Sequence, residues 1–269
     1  MESIEIITKQ TERPYLESWY ELAHTSHPWF KWRMAAVLNQ LRDLNFPLDK
    51  SLQALEVGCG TCVLRSQFES LTAWTVDGTD LDYGALCRAR PARGRTLYYN
   101  IQEHAAELIE AYDILILFDV LEHISDTQAF IGSLLRHLKP GGELILNVPA
   151  LPALYSRFDE AVGHLKRYDK QTLTHEFRGS ELEILDLRYW GFSLIPFLWL
   201  RKLIADGMRD ESSEEIMERG FKSPNSAIDL FVRLLMKIET AMLKRPPLGA
   251  SLLMVGRKRS STSSAETQP

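Results

Sequence analysis

The segment Ala54-Leu-Glu-Val-Gly-Cys-Gly-Thr-Cys62 decides how this chain folds. Its apolar start reads as a strand, and Gly58 and Gly60 turn the chain into a helical pattern that runs from Leu64 to Leu71. A corner of this kind lets backbone amides come close to a ligand, at the helix end that favours negative charge. Three readings are open at this point: a cofactor cradle, a redox Cys59-x-x-Cys62 pair, or a plain tight turn.

The flanking residues narrow the choice. Asp80 stands 20 positions after Gly60, at the end of a second apolar run from Ala73 to Thr79, where a carboxylate can accept both hydroxyls of a ribose. A dinucleotide fold prefers a third glycine at position 63, whereas this chain has Val63. Glu56, just before the glycines, suits a ligand with an ammonium group better than one with two phosphates. The spacing therefore favours an amino-acid nucleoside over a nicotinamide dinucleotide.

Further along, Thr96 to Tyr99, Ile114 to Phe118 and Glu143 to Val148 read as strands, alternating with helical patterns over Asp82 to Arg90, Glu103 to Glu110 and Asp126 to Leu138. This alternation predicts an α/β fold, a parallel sheet with helices on both faces. Lys139-Pro-Gly-Gly142 stops the last of these helices. Phe30, Met34, Val37, Leu38, Leu41 and Leu44 mark a helix before the glycine corner, so residues 1–50 read as an N-terminal helical cap. Two late strands, Glu181 to Tyr189 and Ser251 to Arg257, are separated by a helical insertion over about residues 193–250. Within it, Ile228, Phe231, Val232, Leu234, Leu235, Ile238 and Met242 predict an amphipathic helix packed onto the sheet or the N-terminal helices. The polar stretch 260–269 reads as a disordered tail, leaving 51–259 as the main domain.

A net charge of −5 argues against a nucleic-acid partner, and the basic run Arg88-Ala-Arg90-Pro-Ala-Arg93-Gly-Arg95 reads as solvated loop charge. Three cysteines do not make a disulfide framework, and the charged N-terminal stretch lacks a secretory core, so a cytoplasmic location is expected. The most apolar segment, Trp190 to Leu200, is too short to cross a bilayer, although it could lie against one as a peripheral contact. Oligomeric state is left open.

Leu55-Glu-Val-Gly-Cys-Gly-Thr61 resembles the first motif of class I S-adenosylmethionine-dependent methyltransferases. Gly78-Thr-Asp80, Tyr112 to Asp119, Val120-Leu-Glu-His-Ile124 and Leu138-Lys-Pro-Gly-Gly142 are similar to further motifs of that family, in order. The resemblance implies a Rossmann-like, doubly wound, seven-stranded sheet, mostly parallel with an antiparallel edge. It also implies S-adenosylmethionine as cofactor, with Glu56, Gly58, Cys59 and Gly60 at its methionine end, Asp80 on the ribose and Leu81 beside the adenine. Asn100 and Ile101 fall where relatives meet the adenine amine, and Asp119 falls near the methionine or sulfonium side. Cys62 replaces the third glycine of the family's loop, which is tolerated if its backbone angle is ordinary. Gly163-His-Leu-Lys-Arg-Tyr168, with His27-Pro-Trp-Phe30, resembles small-molecule methyltransferases associated with polysaccharide or lipid-linked metabolism.

Methyl transfer requires alignment of an acceptor with the methyl carbon and exclusion of water. His164 is the expected base for a protonated acceptor, with Asp119 beside it, and Arg167 and Tyr168 could orient the acceptor. No metal ligand set is assigned. Asp119-x-x-Glu122-His123 with distant His164 nonetheless resembles metal-assisted sites in some relatives, with Asp in place of the more usual Glu. The expectation is thus a methyltransferase acting on a small-molecule acceptor, at an oxygen, with a lipophilic or sugar-linked acceptor compatible. The alternatives are an NAD-dependent oxidoreductase and a non-catalytic binding protein on the same fold.

Overall fold

The computed structural model describes residues 3–10, 28–207, 212, 215, 216 and 226–260. His27, most of residues 208–225, the side chains of Ile228, Phe231 and Val232, and the tail from 261 lie outside the described residues. The sheet forms because the apolar runs alternate between two covered faces. Along β5 (Tyr112–Phe118), Leu115 and Leu117 face one core while Ile114, Ile116 and Phe118 face the other. On the first face lie α4 (Thr127–Arg136), through Phe130, Ile131, Leu134 and Leu135, and, after the short α5 (Arg157–Ala161), α6 (Lys170–Glu176), through Leu173. The second face is covered by α1 (Pro28–Asp43), through Trp32, Met34, Val37, Leu38 and Leu41, and by α2 (Val63–Leu71), through Leu64 and Phe68.

Eight strands, not seven, make up the sheet, in the order β1-β4-β3-β2-β5-β6-β8-β7. The extra strand is β1 (Ile4–Ile6), which pairs in parallel with β4 (Thr96–Tyr98). It corrects the all-helical N-terminal cap: three residues carry too little periodicity to reveal a strand, and its partner lies 92 positions on in register, Ile4 against Thr96. Strands β2 (Gln53–Val57), β3 (Thr75–Asp80) and β5 are parallel to both neighbours, and β6 (Leu138–Pro149) is parallel to β5. The antiparallel strand is β8 (Ser251–Lys258), inserted between β6 and the edge strand β7 (Leu182–Trp190). From β2 the chain winds outward to β3 and β4, then crosses back to β5. The carboxyl ends of β2 and β5 therefore border the switch point where open α/β sheets hold ligands.

Two predicted helices shrink. Asp82 to Arg90 keeps only α3 (Tyr83–Leu86), capped by the Asp82 carboxylate, which accepts from the Ala85 amide at 2.9 Å. Glu103 to Glu110 yields short 3-10 turns, Ile101–Glu103 and Ala106–Leu108. The basic run after α3 is not simply solvated. Arg95 donates twice to one Asp77 carboxylate oxygen, at 3.0 and 2.7 Å, and Arg93 donates to the Thr72 carbonyl at 3.0 Å. The insertion comprises α7 (Ile195–Gly207) and α8 (Ser226–Met242). Met236 of α8 packs into the core beside Trp190 and α1, while Leu234, Ile238 and Met242 are exposed. Helix α8 thus packs on α1 as expected, but through Met236, which the expected stripe did not include, while Leu234, Ile238 and Met242 of that stripe face outward.

Candidate active site

The glycine corner is tied to the neighbouring strand. The amides of Gly58 and Cys59 both donate to the Thr79 carbonyl, at 2.9 and 3.0 Å. Gly58 has φ of 74°, and a Cβ there would lie 2.4 Å from Cγ2 of Val120. Glycine is needed on both counts. The Gly60 amide donates to Oδ2 of Asp80 at 2.7 Å and the Asp82 amide to Oδ1 at 2.9 Å. These bonds aim the Asp80 carboxylate across the loop and oppose the burial that raises its pKa.

Glu56 lies beside Gly78 in register and is buried, and its Oε2 has no hydrogen-bond partner. Burial pushes its carboxyl up to about 8, against the pull of Arg33 and Arg65. A buried carboxylate oxygen without a donor is costly unless a cationic group completes it.

Cys62 corrects an expectation. Its φ of 59° and ψ of 32° are left-handed, not ordinary, so the position where relatives carry glycine does require glycine's conformation, and this chain adopts it with a cysteine. Its Sγ lies 3.3 Å from Sγ of Cys59, and both cysteines are buried and free. Burial pushes the Cys59 thiol up, the reverse of what a thiol–disulfide catalyst needs. The redox reading is thereby disfavoured.

Leu81, expected beside the adenine, is half-buried against Cys59, Cys62 and Tyr98. Asn100 caps the turn that follows it, its Oδ1 accepting from the Gln102 amide at 3.1 Å, and Ile101 is buried in the core.

At the other side of the switch point, Asp119 is left-handed, with φ of 56°, and is no helix cap. Its Oδ2 accepts from Arg33 at 2.6 Å and its Oδ1 from Asn147 at 2.6 Å, while Asn147 accepts from the Trp190 indole at 2.9 Å. Arg33 is the site residue that sequence reasoning missed. The signal was present: it sits four and eight residues before Val37 and Leu41, a lone charge on the buried face of α1. Its guanidinium lies over the rings of Phe30 and Phe118, its charge reaches Glu56, and its Nε has no hydrogen-bond partner.

Next to Asp119, the turn Leu121–His123 meets the loop after β6. Ligand atoms of Glu122, His123 and His164 all lie within 4.8 Å of one another. Glu122 is fully buried with both carboxylate oxygens lacking a hydrogen-bond partner, and Oε1 is 3.7 Å from Nε2 of His164. Nδ1 of His164 faces Oδ1 of Asp159 at 3.0 Å, and Nδ1 of His123 faces the Gly163 carbonyl at 2.9 Å. Each partner fixes the proton on Nδ1 and leaves Nε2 the acceptor nitrogen. Burial raises the pKa of Glu122 and, helped by His164, lowers that of His123 to about 4. Buried lone pairs converging in this way fit a divalent cation. Asp119 is not in the cluster, because its oxygens are taken by Arg33 and Asn147.

Arg167 and Tyr168 are not placed to orient an acceptor. Arg167 donates to Asp159 at 2.7 Å and to the Ala150 carbonyl at 3.1 Å, and the Tyr168 hydroxyl is buried and donates to the Leu121 carbonyl at 3.4 Å. They hold the loop that carries His164.

Comparison with known proteins agrees with this geometry. Residues 30–187 match the family model described as "Methyltransferase domain". The ubiquinone biosynthesis O-methyltransferase of Vibrio parahaemolyticus is 34% identical over 121 residues, which cover 41% of this chain and 51% of that protein. The chain thus spans about half the length of such curated relatives, or less. Among solved structures, an S-adenosylmethionine-dependent methyltransferase from Mesorhizobium loti superposes with a TM-score of 0.54 at 17% identity, covering 84% of this chain and 99% of that one. Phosphoethanolamine N-methyltransferase 2 of Haemonchus contortus, solved with S-adenosylmethionine, gives 0.52 at 18% identity, covering 85% and 53%. At those identities the likeness is one of fold. The fold and the glycine corner define a Rossmann-like enzyme of the methyl-transferring class. The chain belongs to the methyltransferase-domain family, and its cofactor class is S-adenosylmethionine.

Proposed function

We propose that this protein methylates an oxygen of a small lipophilic acceptor, with the cofactor held between Glu56 and Asp80 and the acceptor held at Glu122, His123 and His164. The observation that carries the cofactor assignment is a pair of orphaned buried atoms, the Glu56 acceptor oxygen and the Arg33 donor nitrogen. One suits an ammonium and the other a carboxylate, the two charges of an amino-acid end. When bound, the cofactor supplies an electrophilic methyl carbon on a sulfonium.

The chain's own residues do the rest. Asp80 accepts the ribose hydroxyls while the Gly60 and Asp82 amides hold it in place. Asp119, pinned by Arg33 and Asn147, sets its carboxyl oxygens beside the switch point, where they would face a sulfonium approaching from the glycine loop. His164 takes the proton of the acceptor hydroxyl at Nε2, and Asp159 steadies the imidazole at Nδ1. Alternatively, Glu122, His123 and His164 would hold a divalent ion, which would supply Lewis acidity toward that hydroxyl in place of the base, since Nε2 of His164 has one lone pair for either task.

An oxygen acceptor is supported by the O-methyltransferase relatives, and a lipophilic one by the exposed apolar helix beside the acceptor loop. The test is turnover of radiolabelled S-adenosylmethionine against phenolic and catecholic acceptors with and without alkyl tails, before and after chelation. Labelled ether products preferred with long tails support the reading. Labelled amines, or no preference for apolar acceptors, count against it.

A further inference from the structure

Helix α7 stands on the ligand side of the sheet. Strands β6 and β7 are each antiparallel to β8, so β7 runs in the direction of β6, and its carboxyl end at Trp190 delivers the chain to α7 on the side of the crevice. The Trp190 indole at that end donates to Asn147, which itself donates to Asp119. Helix α5 follows the carboxyl end of β6, and α7 packs against it through Ala205, which meets Phe158 and Val162.

Arg201 lies where these two helices meet and has no part in the chemistry described above. Its guanidinium carbon is 3.8 Å from the centre of the Phe158 ring. So short a distance fits a guanidinium lying face-on, because an N–H aimed into the ring would bring its nitrogen inside contact distance. Among the described residues it makes no hydrogen bond and no ion pair. The carboxylates around it are already committed. Asp159 Oδ1 accepts from His164 at 3.0 Å and Arg167 at 2.7 Å, and its Oδ2 accepts from the Ser156 amide at 3.0 Å. Asp206 accepts from the Arg157 amide at 3.1 Å and pairs with Lys202 at 3.4 Å. Burial, with Arg167 close by, lowers the pKa of Arg201 to about 10 against the pull of Asp159. The cation is thus partly stripped of water and not compensated. It is half-buried, and its nitrogens are not sealed from solvent, so a ligand can reach them.

We propose that Arg201 is a specificity residue that holds an oxyanion of the acceptor, a carboxylate or a phosphate, while the hydroxyl to be methylated lies at His164. This rests on the acceptor site proposed above. The chain sets the two positions side by side. Phe158, beneath the guanidinium, immediately precedes Asp159, which holds Nδ1 of His164. Tyr155 ties α7 to the same loop: its carbonyl accepts from Lys202, and its hydroxyl donates to the His164 carbonyl at 2.9 Å. With one face against a ring, a guanidinium keeps its N–H groups in a fixed plane at its edge, a fork that matches two oxygens of a carboxylate or phosphate. A neutral acceptor would leave the charge uncompensated. Lys202 is spent on Tyr155 and Asp206, and Arg167 on partners inside the fold, so the positioning role that Arg167 does not fill is open to Arg201.

Calorimetry on the full chain saturated with S-adenosylhomocysteine tests this, with benzoate, phenyl phosphate and neutral benzamide as probes. At least one of the two oxyanions should bind about tenfold or more tightly than benzamide, and the tighter of the two tells whether the site prefers carboxylate or phosphate. Arg201→Met, which keeps an apolar contact with the Phe158 ring, should erase that preference, and Arg201→Lys should retain part of it, since the charge remains and the fork is lost. S-adenosylhomocysteine affinity should be unchanged in both variants, which shows them folded. In turnover, Arg201→Met should raise the KM for 4-hydroxybenzoate about tenfold, to that for 4-hydroxybenzamide. Benzoate has no hydroxyl, so its binding through Arg201 is measured independently of methyl transfer to oxygen. Oxyanions that bind the wild type no better than benzamide at millimolar concentration, or a preference that Arg201→Met leaves intact, overturn the proposal. Turnover of phenols without any preference for the acid would overturn it too, while leaving the acceptor site at His164 standing.

Discussion

A cofactor ammonium held by Glu56, as proposed, would make affinity depend on pH. In the free protein its carboxyl is held up to about 8 by burial. At pH 7 only about one molecule in ten therefore carries the carboxylate needed to meet an ammonium, and each further unit of acid costs about tenfold in affinity, about 1.4 kcal/mol. Above pH ~8 the ligand's own ammonium is lost, since α-amino groups titrate there. Affinity measured by calorimetry should climb roughly 25-fold from pH 6 to a maximum near pH 8, then fall. Glu56→Gln cannot ionise, so its affinity should be flat below pH ~8. At the wild-type maximum it should be weaker by about 1.5–3 kcal/mol, the worth of a charge-assisted hydrogen bond. Near pH 6 the two proteins should converge. Stability of the free protein carries the same signature. An acid whose folded pKa is raised keeps its full contribution at low pH and loses it as pH rises from about 4.5 toward 8, so the unliganded wild type should melt lower at pH 8 than at pH 5, and Glu56→Gln should narrow that gap, the raised Asp80 and Glu122 keeping the remainder. A wild-type affinity that is constant between pH 6 and 8, or a slope that survives in Glu56→Gln, would refute the reasoning.

Three other perturbations probe the loop and the acceptor cluster. Because Cys62 is left-handed, the usual advantage of alanine over glycine should reverse there. Chemical denaturation should find Cys62→Gly more stable than Cys62→Ala by about 0.5–1 kcal/mol, and the opposite order would show that the backbone is not held at positive φ. Gly58→Ala should cost about 2–4 kcal/mol and most of the cofactor affinity, and adding Val120→Ala should restore part of the stability by removing the methyl that the new Cβ would strike. Chelation should depress turnover and readdition of a divalent ion should restore it, with His123→Ala abolishing the rescue while S-adenosylhomocysteine still binds. Activity indifferent to chelators would remove the cation from the account.

The sequence revealed what is encoded locally and missed what is encoded at a distance. The strand–glycine–helix corner and the interval to Asp80 could be read because apolar period, turn residues and spacing all lie within one stretch of chain. Strand β1 could not, since Ile4–Ile6 is defined by its pairing with Thr96 to Tyr98 rather than by its own pattern. The predicted helix over Glu103 to Glu110 broke into turns in part because His104 and Glu110 are left-handed, with φ of 51° at each. In the site, Glu56 is marked by its place before the glycines, and Asp80, Asp119 and His164 by their places at or after strand ends, but what these side chains touch is not written in the neighbouring sequence. Arg33 reaches Asp119 across 86 positions, and Asp159, which anchors both His164 and Arg167, belongs to no motif of the sequence. Arg167 and Tyr168 were given an outward role because they stand next to a reactive residue in sequence. Their partners, Ala150 and Leu121, lie inside the fold. The apolarity of the insertion was plain from composition. Only the structure shows that Leu200 and Leu203 point outward.

The most direct measurement is a calorimetric titration of the purified chain with S-adenosylhomocysteine and, in parallel, with NAD. Binding of the first at one site per chain, weakened at least tenfold by Asp80→Ala and undetectable for NAD, is the expected result. Heat with NAD alone, or none with S-adenosylhomocysteine at millimolar concentration, would contradict the account.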